Sequence, residues 1–361
     1  MTRRAVLASG LAAAGLRAQK RGAIFAAEWT RYSDPATEFW VYRLTSPEYT
    51  SVLPAYYQNV VARRANFLLF ASGRTGSMQA HRMDLKTGEW RQLTEADELD
   101  PMSLTLVPDE RSFVYCDGPS LRVASTTGRL DREIYRVPSG WKRSKGVSLS
   151  VEGSFALFGE TRQQGGRLRL VGLARGAART IIETPFELSE PLARPRRAQA
   201  LYRQGEEALW LVNTDGKQNR KLALADGGIG PASWSADGKT IYYLNFPPDK
   251  SQLNNIREFA PDQKEDKLIA KTSQFVHCDA NRDGSVFVGA SRNAASPTIL
   301  LLLRVTRREF TLCEHGASDP AAVAPIFSPD SQRVYFNSDR HGKPAIYFIN
   351  VERLVEETPG D

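Results

Sequence analysis

One short sentence of sequence returns seven times along the chain. Its clearest copy is Ser233-Trp234-Ser235-Ala236-Asp237-Gly238-Lys239-Thr240-Ile241-Tyr242-Tyr243-Leu244. A strand ends in a polar turn, and a second strand leaves with alternating apolar residues. Two period-two runs split by Asp-Gly spell a β-hairpin. The pattern recurs at residues 107–115, 281–288 and 327–336, and more weakly at 62–69, 150–157 and 194–198. With Arg64, Asp109, Glu152, Arg196, Asp237, Asp283 and Asp330 as markers, successive copies lie 41 to 47 residues apart. A repeat of roughly 40 to 50 residues built only from short strands is a β-propeller blade. The reading is therefore all-β, a seven-bladed β-propeller.

The ring must also close. After its turn the last repeat offers only residues 333–337 and 344–350 as strands, which leaves a sheet edge open. The strand-like run from Phe39 to Leu44 precedes the first repeat, so the N-terminal strand is expected to complete the last blade. A second strand-like run, Ala23 to Thr30, lies just before it. The outer strands of the blades turn at Lys86-Thr87-Gly88 and Asp215-Gly216, with glycine where φ must be positive.

Residues 1–18 combine Arg3 and Arg4, a short mild apolar stretch and a small-residue end at Ala18. That is the pattern of a secretory leader, and the Thr-Arg-Arg opening is of twin-arginine type. The expected division is a leader at 1–18, one propeller at 19–353 and a frayed tail at 354–361, with the mature protein periplasmic or secreted. The chain carries a net charge of +7, of which Arg3, Arg4 and Arg17 supply three, leaving +4 on the propeller. The remaining basic residues are interspersed with acids, so no nucleic-acid partner is indicated, and an anionic small substrate suits the modest field. No apolar run approaches the ~20 residues of a transmembrane segment. Cys116, Cys278 and Cys313 have no metal-ligand spacing and read as buried small hydrophobes.

No nucleophile elbow, phosphate loop or convincingly spaced carboxylate pair is present. Of the four histidines, His81, His315 and His341 fall at strand or turn positions expected to be solvated. His277 falls where a side chain can face the central channel.

At Tyr42-Arg43-Leu44-Thr45-Ser46-Pro47, Met83-Asp84-Leu85-Lys86-Thr87-Gly88, Gln92-Leu93-Thr94, Asn213-Thr214-Asp215-Gly216 and Ser338-Asp339-Arg340-His341-Gly342-Lys343-Pro344-Ala345-Ile346-Tyr347, the chain resembles oligogalacturonate lyases. Tyr56-Tyr57-Gln58 and Arg194-Pro195 fall in step, and the likeness runs from about residue 36 to 351. The resemblance implies a seven-bladed propeller with a manganese-type centre (Mn2+) that cleaves short pectin-derived uronides by β-elimination. In that chemistry a base removes the proton beside the uronate carboxylate while a cation stabilises the enolate-like charge.

Carried over by position, the family's ligand histidine before an Asn-x-Asp-Gly turn falls on His277. Its glutamine and paired histidines fall on Asp319, Ala322 and Ala324. The histidine expected as base falls near Pro231, and an expected arginine falls on Ala208. The resemblance thus leaves His277 and Asp319 as metal candidates. For an oligogalacturonide or related anionic sugar, Tyr56, Tyr57, Gln58, Arg194, Arg203 and Arg292 are the candidate contacts, because arginine forks suit a carboxylate and aromatic faces suit a sugar ring. Tyr56 and Tyr57 equally suit packing between blades. The expected function is a diverged lyase or an oligouronide-binding relative. The alternative is a protein-interaction scaffold of the WD or Tol-system kind, with a protein partner.

Overall fold

A computed structural model describes residues 21–352 and 354; the expected leader at 1–18 and most of the expected frayed tail lie outside the described residues. The strands form seven antiparallel sheets, each one blade. Blade 6 shows the plan: Phe275–Ala280 is innermost, followed outward by Val286–Ser291, Thr298–Leu303 and Arg308–Glu314. The other innermost strands are Ser51–Val52, Thr105–Leu106, Lys142–Leu149, Ser189–Ala193, Gly228–Trp234 and Ile326–Phe327.

The repeated sentence is one repeated hydrogen bond. In each blade the backbone N–H at the start of the first hairpin turn donates to the carbonyl five residues on. The seven pairs are Ala62 to Phe67, Val107 to Ser112, Ser150 to Phe155, Arg194 to Gln199, Ser235 to Thr240, Asn281 to Val286 and Ser328 to Arg333. Each turn also holds one residue at positive φ: Ala65, Glu110, Gly153, Arg196, Gly238, Gly284 or Ser331. Four of these are not glycine, which explains why an Asp-Gly motif finds some copies and not others.

Outer strands carry a second repeat. In blade 2 the Tyr115 hydroxyl donates to Asp131 at 2.6 Å and Arg122 pairs with the same carboxylate at 3.0 Å. In blade 5, Tyr243, Asp266 and Arg257 reproduce it at 2.6 and 2.9 Å. A tyrosine from the second strand, an arginine from the third and an aspartate from the fourth thus pin the blade's outer edge.

The ring closes as the sequence requires. Trp40–Arg43 pairs antiparallel with Ala345–Asn350, in the register Val41 to Ile349, Tyr42 to Phe348 and Arg43 to Tyr347. Thr30–Ser33 then adds a fifth strand outside it. The preceding Ile24–Phe25 goes instead to blade 1, pairing with Trp90–Gln92, so that blade also has five strands. One stretch of chain therefore staples both sides of the seam. Phe25 stacks on Trp90 at 4.3 Å. Glu28 ion-pairs with Arg74 and accepts from the Ser46 N–H at 2.8 Å.

Two histidines expected on the solvated surface are in the core. His81 is fully buried among Phe25, Phe70 and Trp90. His315 is also fully buried, one ring nitrogen 3.0 Å from the Ser291 carbonyl oxygen. Period-two alternation could not reveal this, because propeller strands are covered on both faces by neighbouring blades. His341 is exposed, as expected. The three cysteines are buried and free.

Val41 is fully buried in the closing strand. Val41→Asp places an unpaired charge at the seam and should unfold the ring or lower its stability by more than about 3 kcal/mol, read by urea denaturation. The exposed Thr30→Ala should change stability by less than about 0.5 kcal/mol.

Candidate functional site: a plugged channel mouth

The first blade's innermost strand is interrupted. After Ser51–Val52 the chain leaves the sheet, and rejoins it at the Val61 to Leu68 bridge. Residues 53–60 cross the axis and are tied to blades all round the ring. Leu53 N–H donates to Asn337 of blade 7 at 2.8 Å. Gln58 Nε2 donates to the Val147 carbonyl of blade 3 at 2.7 Å, and the Asn59 carbonyl accepts from Leu106 of blade 2 at 2.7 Å. On the far side, Tyr56 Oη accepts from Ala232 N–H at 2.8 Å and donates to the Ala232 carbonyl at 3.0 Å, both in blade 5. Tyr56 also meets the His277 ring of blade 6 edge to face at 4.7 Å. Tyr57 packs against the core shared by blades 4 and 5.

The blades bend to receive this plug. Near their starts, the innermost strands of blades 3, 4, 5 and 6 each carry a register shift, at Arg143/Val147, Ser189/Leu192, Ile229/Ala232 and Phe275/His277. Bulges re-aim side chains and concentrate beside functional sites. Here they gather Lys145, Glu190, Pro231 and His277 around one end of the channel. Lys145 Nζ lies 2.8 Å from Glu190 Oε1, and Arg203 Nε lies 3.1 Å from Glu190 Oε2.

His277 is buried, and its Nδ1 has no hydrogen-bond partner among the described residues. Burial, and then the charge of Lys145, hold its pKa down to about 3. The imidazole is thus neutral at ordinary pH, with one nitrogen enclosed and unspent. Tyr57 Oη is likewise buried without a partner among the described residues. Burial, then the Glu190 charge, raises both the Tyr56 and Tyr57 phenols, so both keep their protons.

The donors here do not suit a manganese-type centre. A hard divalent ion wants several oxygen or imidazole ligands converging. His277 is one. Asp319 is an exposed N-cap of the short helix Pro320–Val323, one oxygen accepting from Ala321 N–H at 2.9 Å. Ala322 and Ala324 offer no side-chain donor, and no group of three His, Cys, Asp or Glu converges among the described residues.

The structure separates the sequence's other candidates. Gln58 spends its amide on tying down the plug. Arg194 sits at the opposite end of its strand, buried, with both fork nitrogens 2.9 Å from Asp262 and Nε on the Gly238 carbonyl at 2.8 Å. It is a strap between blades, since four of its five N–H groups are spent on Gly238, Gln199 and Asp262 and its fork is already filled by a carboxylate. Arg203 is at the mouth, but its outer nitrogens donate to the Ile229 and Gly230 carbonyls at 2.7 and 2.6 Å. Arg292 is exposed in the loop after Val286–Ser291, on the same face as the mouth. Lys145 and Glu190 escaped sequence reading because their partnership depends on two bulges. The one local hint was Gly146 directly after Lys145.

Behind the plug, a cavity of about 610 Å³ opens toward the seven hairpin turns, lined by Tyr56, Tyr57, Gln58, Trp234, Asp279 and Asn281 among others. Asp279 accepts from Phe327 N–H at 2.9 Å, yet burial pushes its pKa up to about 7.

The fold and mouth define a seven-bladed β-propeller with its channel stopped from within. No family model matches the chain. It is similar over nearly its whole length to oligogalacturonate lyases. The oligogalacturonide lyase of Pectobacterium atrosepticum is 26% identical across 90% of this chain and 96% of its own. That of Dickeya dadantii is 24% identical over the same shares. A solved oligogalacturonate lyase in complex with manganese superposes at a TM-score of 0.87, with 24% identity, covering 92% of this chain and 98% of its own.

Two outcomes follow for the plug and cavity. Tyr56→Phe leaves the Ala232 backbone groups unpaired and should cost about 1–3 kcal/mol in denaturant unfolding. An acid whose folded pKa is raised penalises the native state once the unfolded chain ionises. Asp279→Asn should therefore gain stability over the parent progressively from about pH 4 to about pH 7, and by a constant amount above that, as read by melting temperature across pH.

Proposed function

We propose that this chain is an exported propeller that recognises short oligogalacturonides, or a closely related anionic sugar, at the plugged mouth, without the metal-assisted elimination of its lyase relatives. One observation carries the reading. The position matching the family's ligand histidine keeps a buried, neutral, unpartnered imidazole, while the matching neighbours have become Ala322, Ala324 and Pro231. A lone imidazole suits hydrogen bonding to a sugar hydroxyl better than it suits holding a divalent ion. The Tyr57 hydroxyl of the plug, enclosed and without a partner among the described residues, could bond a second hydroxyl once uncovered. Lys145, Arg203 and the exposed Arg292 make this face attractive to a uronate carboxylate.

The reading is tested on the purified protein with di- and trigalacturonate, with and without Mn2+. The expected result is a ligand-dependent rise in melting temperature, about 2.7 kcal/mol of stabilisation at a hundredfold excess over Kd, and no ultraviolet absorbance from an unsaturated product. A metal-dependent absorbance that His277→Ala abolishes would instead establish a working lyase with a rebuilt centre.

Export rests on the leader pattern at residues 1–18. Replacing both Arg3 and Arg4 by Lys should retain the full-length protein in the cytoplasmic fraction, whereas the parent should be recovered from the periplasm or medium.

A further inference from the structure

Lys145 and Glu190 come from neighbouring blades, and the backbone is bent at both to bring them together. Glu190 is a non-glycine residue at φ 46. Lys145 is followed by Gly146 at φ +94, where a Cβ would lie 2.8 Å from Tyr57 Oη and 2.9 Å from Glu190 Cα. Glycine takes this φ freely, so what is particular here is the closeness: only a residue without Cβ lets the Lys145 strand lie against Glu190 and Tyr57.

The charges at this point do not balance. Glu190 faces two cations, Lys145 at 2.8 Å and Arg203 at 3.1 Å. Arg203 is locked, with only 9% of its side chain exposed and its outer nitrogens on two backbone carbonyls. The Lys145 side chain is 69% exposed and ends a flexible four-carbon stem. Lysine is therefore the partner able to leave, and Glu190 remains paired with Arg203 when it does. Close by lie His277 Nδ1 and Tyr57 Oη, both buried and without a partner among the described residues, so a sugar hydroxyl could use them only once they are uncovered.

We infer that Lys145 is a specificity residue of this mouth. It swings from Glu190 to bind a carboxylate of the sugar chain, supplying the positive charge for which the ligands of a metal centre are missing and making recognition independent of metal. The inference rests on the oligogalacturonide reading above. It deepens that reading by assigning the direct carboxylate contact to Lys145 alone and by giving the movement that frees it.

The test is calorimetric titration of digalacturonate into the parent protein, Lys145→Ala and Lys145→Arg, each in EDTA and again with Mn2+. The expected result is binding by the parent in EDTA, about tenfold or more weakening in Lys145→Ala, and substantial recovery in Lys145→Arg. Melting temperatures should match throughout, because the pair is exposed on the lysine side. Unchanged affinity in Lys145→Ala would overturn the lysine's role and leave the sugar reading standing. Binding by the parent only with Mn2+ would overturn metal independence, again leaving that reading. No binding by the parent under either condition would overturn both.

Discussion

Everything in this molecule depends on three residue pairs at one seam. Val41, Tyr42 and Arg43 meet Ile349, Phe348 and Tyr347, joining the start of the propeller to its end. Each blade buries its faces only against its two neighbours, so a ring missing one junction exposes two full sheet faces. The N-terminal stretch strengthens the junction by giving its first strand to blade 1 and its next two to blade 7. Local hydrogen bonds hold the individual hairpins, but only this long-range pairing makes them a circle. The closed circle in turn is what allows a loop to be stretched across its centre.

The ring was legible in the sequence because its signal is local and repeated. Each hairpin turn needs a positive φ and a closing hydrogen bond, and seven such turns at near-constant spacing admit few other folds. The closing strand was legible too, since a last blade short of strands needs one from elsewhere. The placement of Ile24–Phe25 in blade 1 was not: the strand is two residues long, and its pairing with Trp90–Gln92 and the Phe25 to Trp90 stack leave no periodic trace.

The site was legible only in part, for a physical reason. His277 could be aligned with a turn motif, and its burial beside the channel follows from its place on an innermost strand. Tyr56 and Tyr57 were read as blade packing or sugar contacts; Tyr57 does pack on the core shared by blades 4 and 5, but the plug that carries both residues was not foreseen. Their contacts to Ala232 and His277 join residues 176 and 221 positions away in sequence, through a loop that no periodicity describes. Arg194 and Arg203 were legible as cations but not as spent ones, because the carbonyls and carboxylate that occupy them belong to other strands or other blades. Lys145 and Glu190 depend on bulges, which break the very alternation used to find strands.

The plug settles what kind of vessel the propeller is. An open axial channel could let a polymer thread from face to face, or let product leave by the far end. With residues 53–60 anchored to the walls, the tunnel is stopped and the cavity behind the plug becomes a blind cup. A ligand entering such a cup meets its floor and must withdraw the way it came. Such a cup can admit the end of a chain but not its middle, a constraint of shape that precedes any match of charge or hydroxyl.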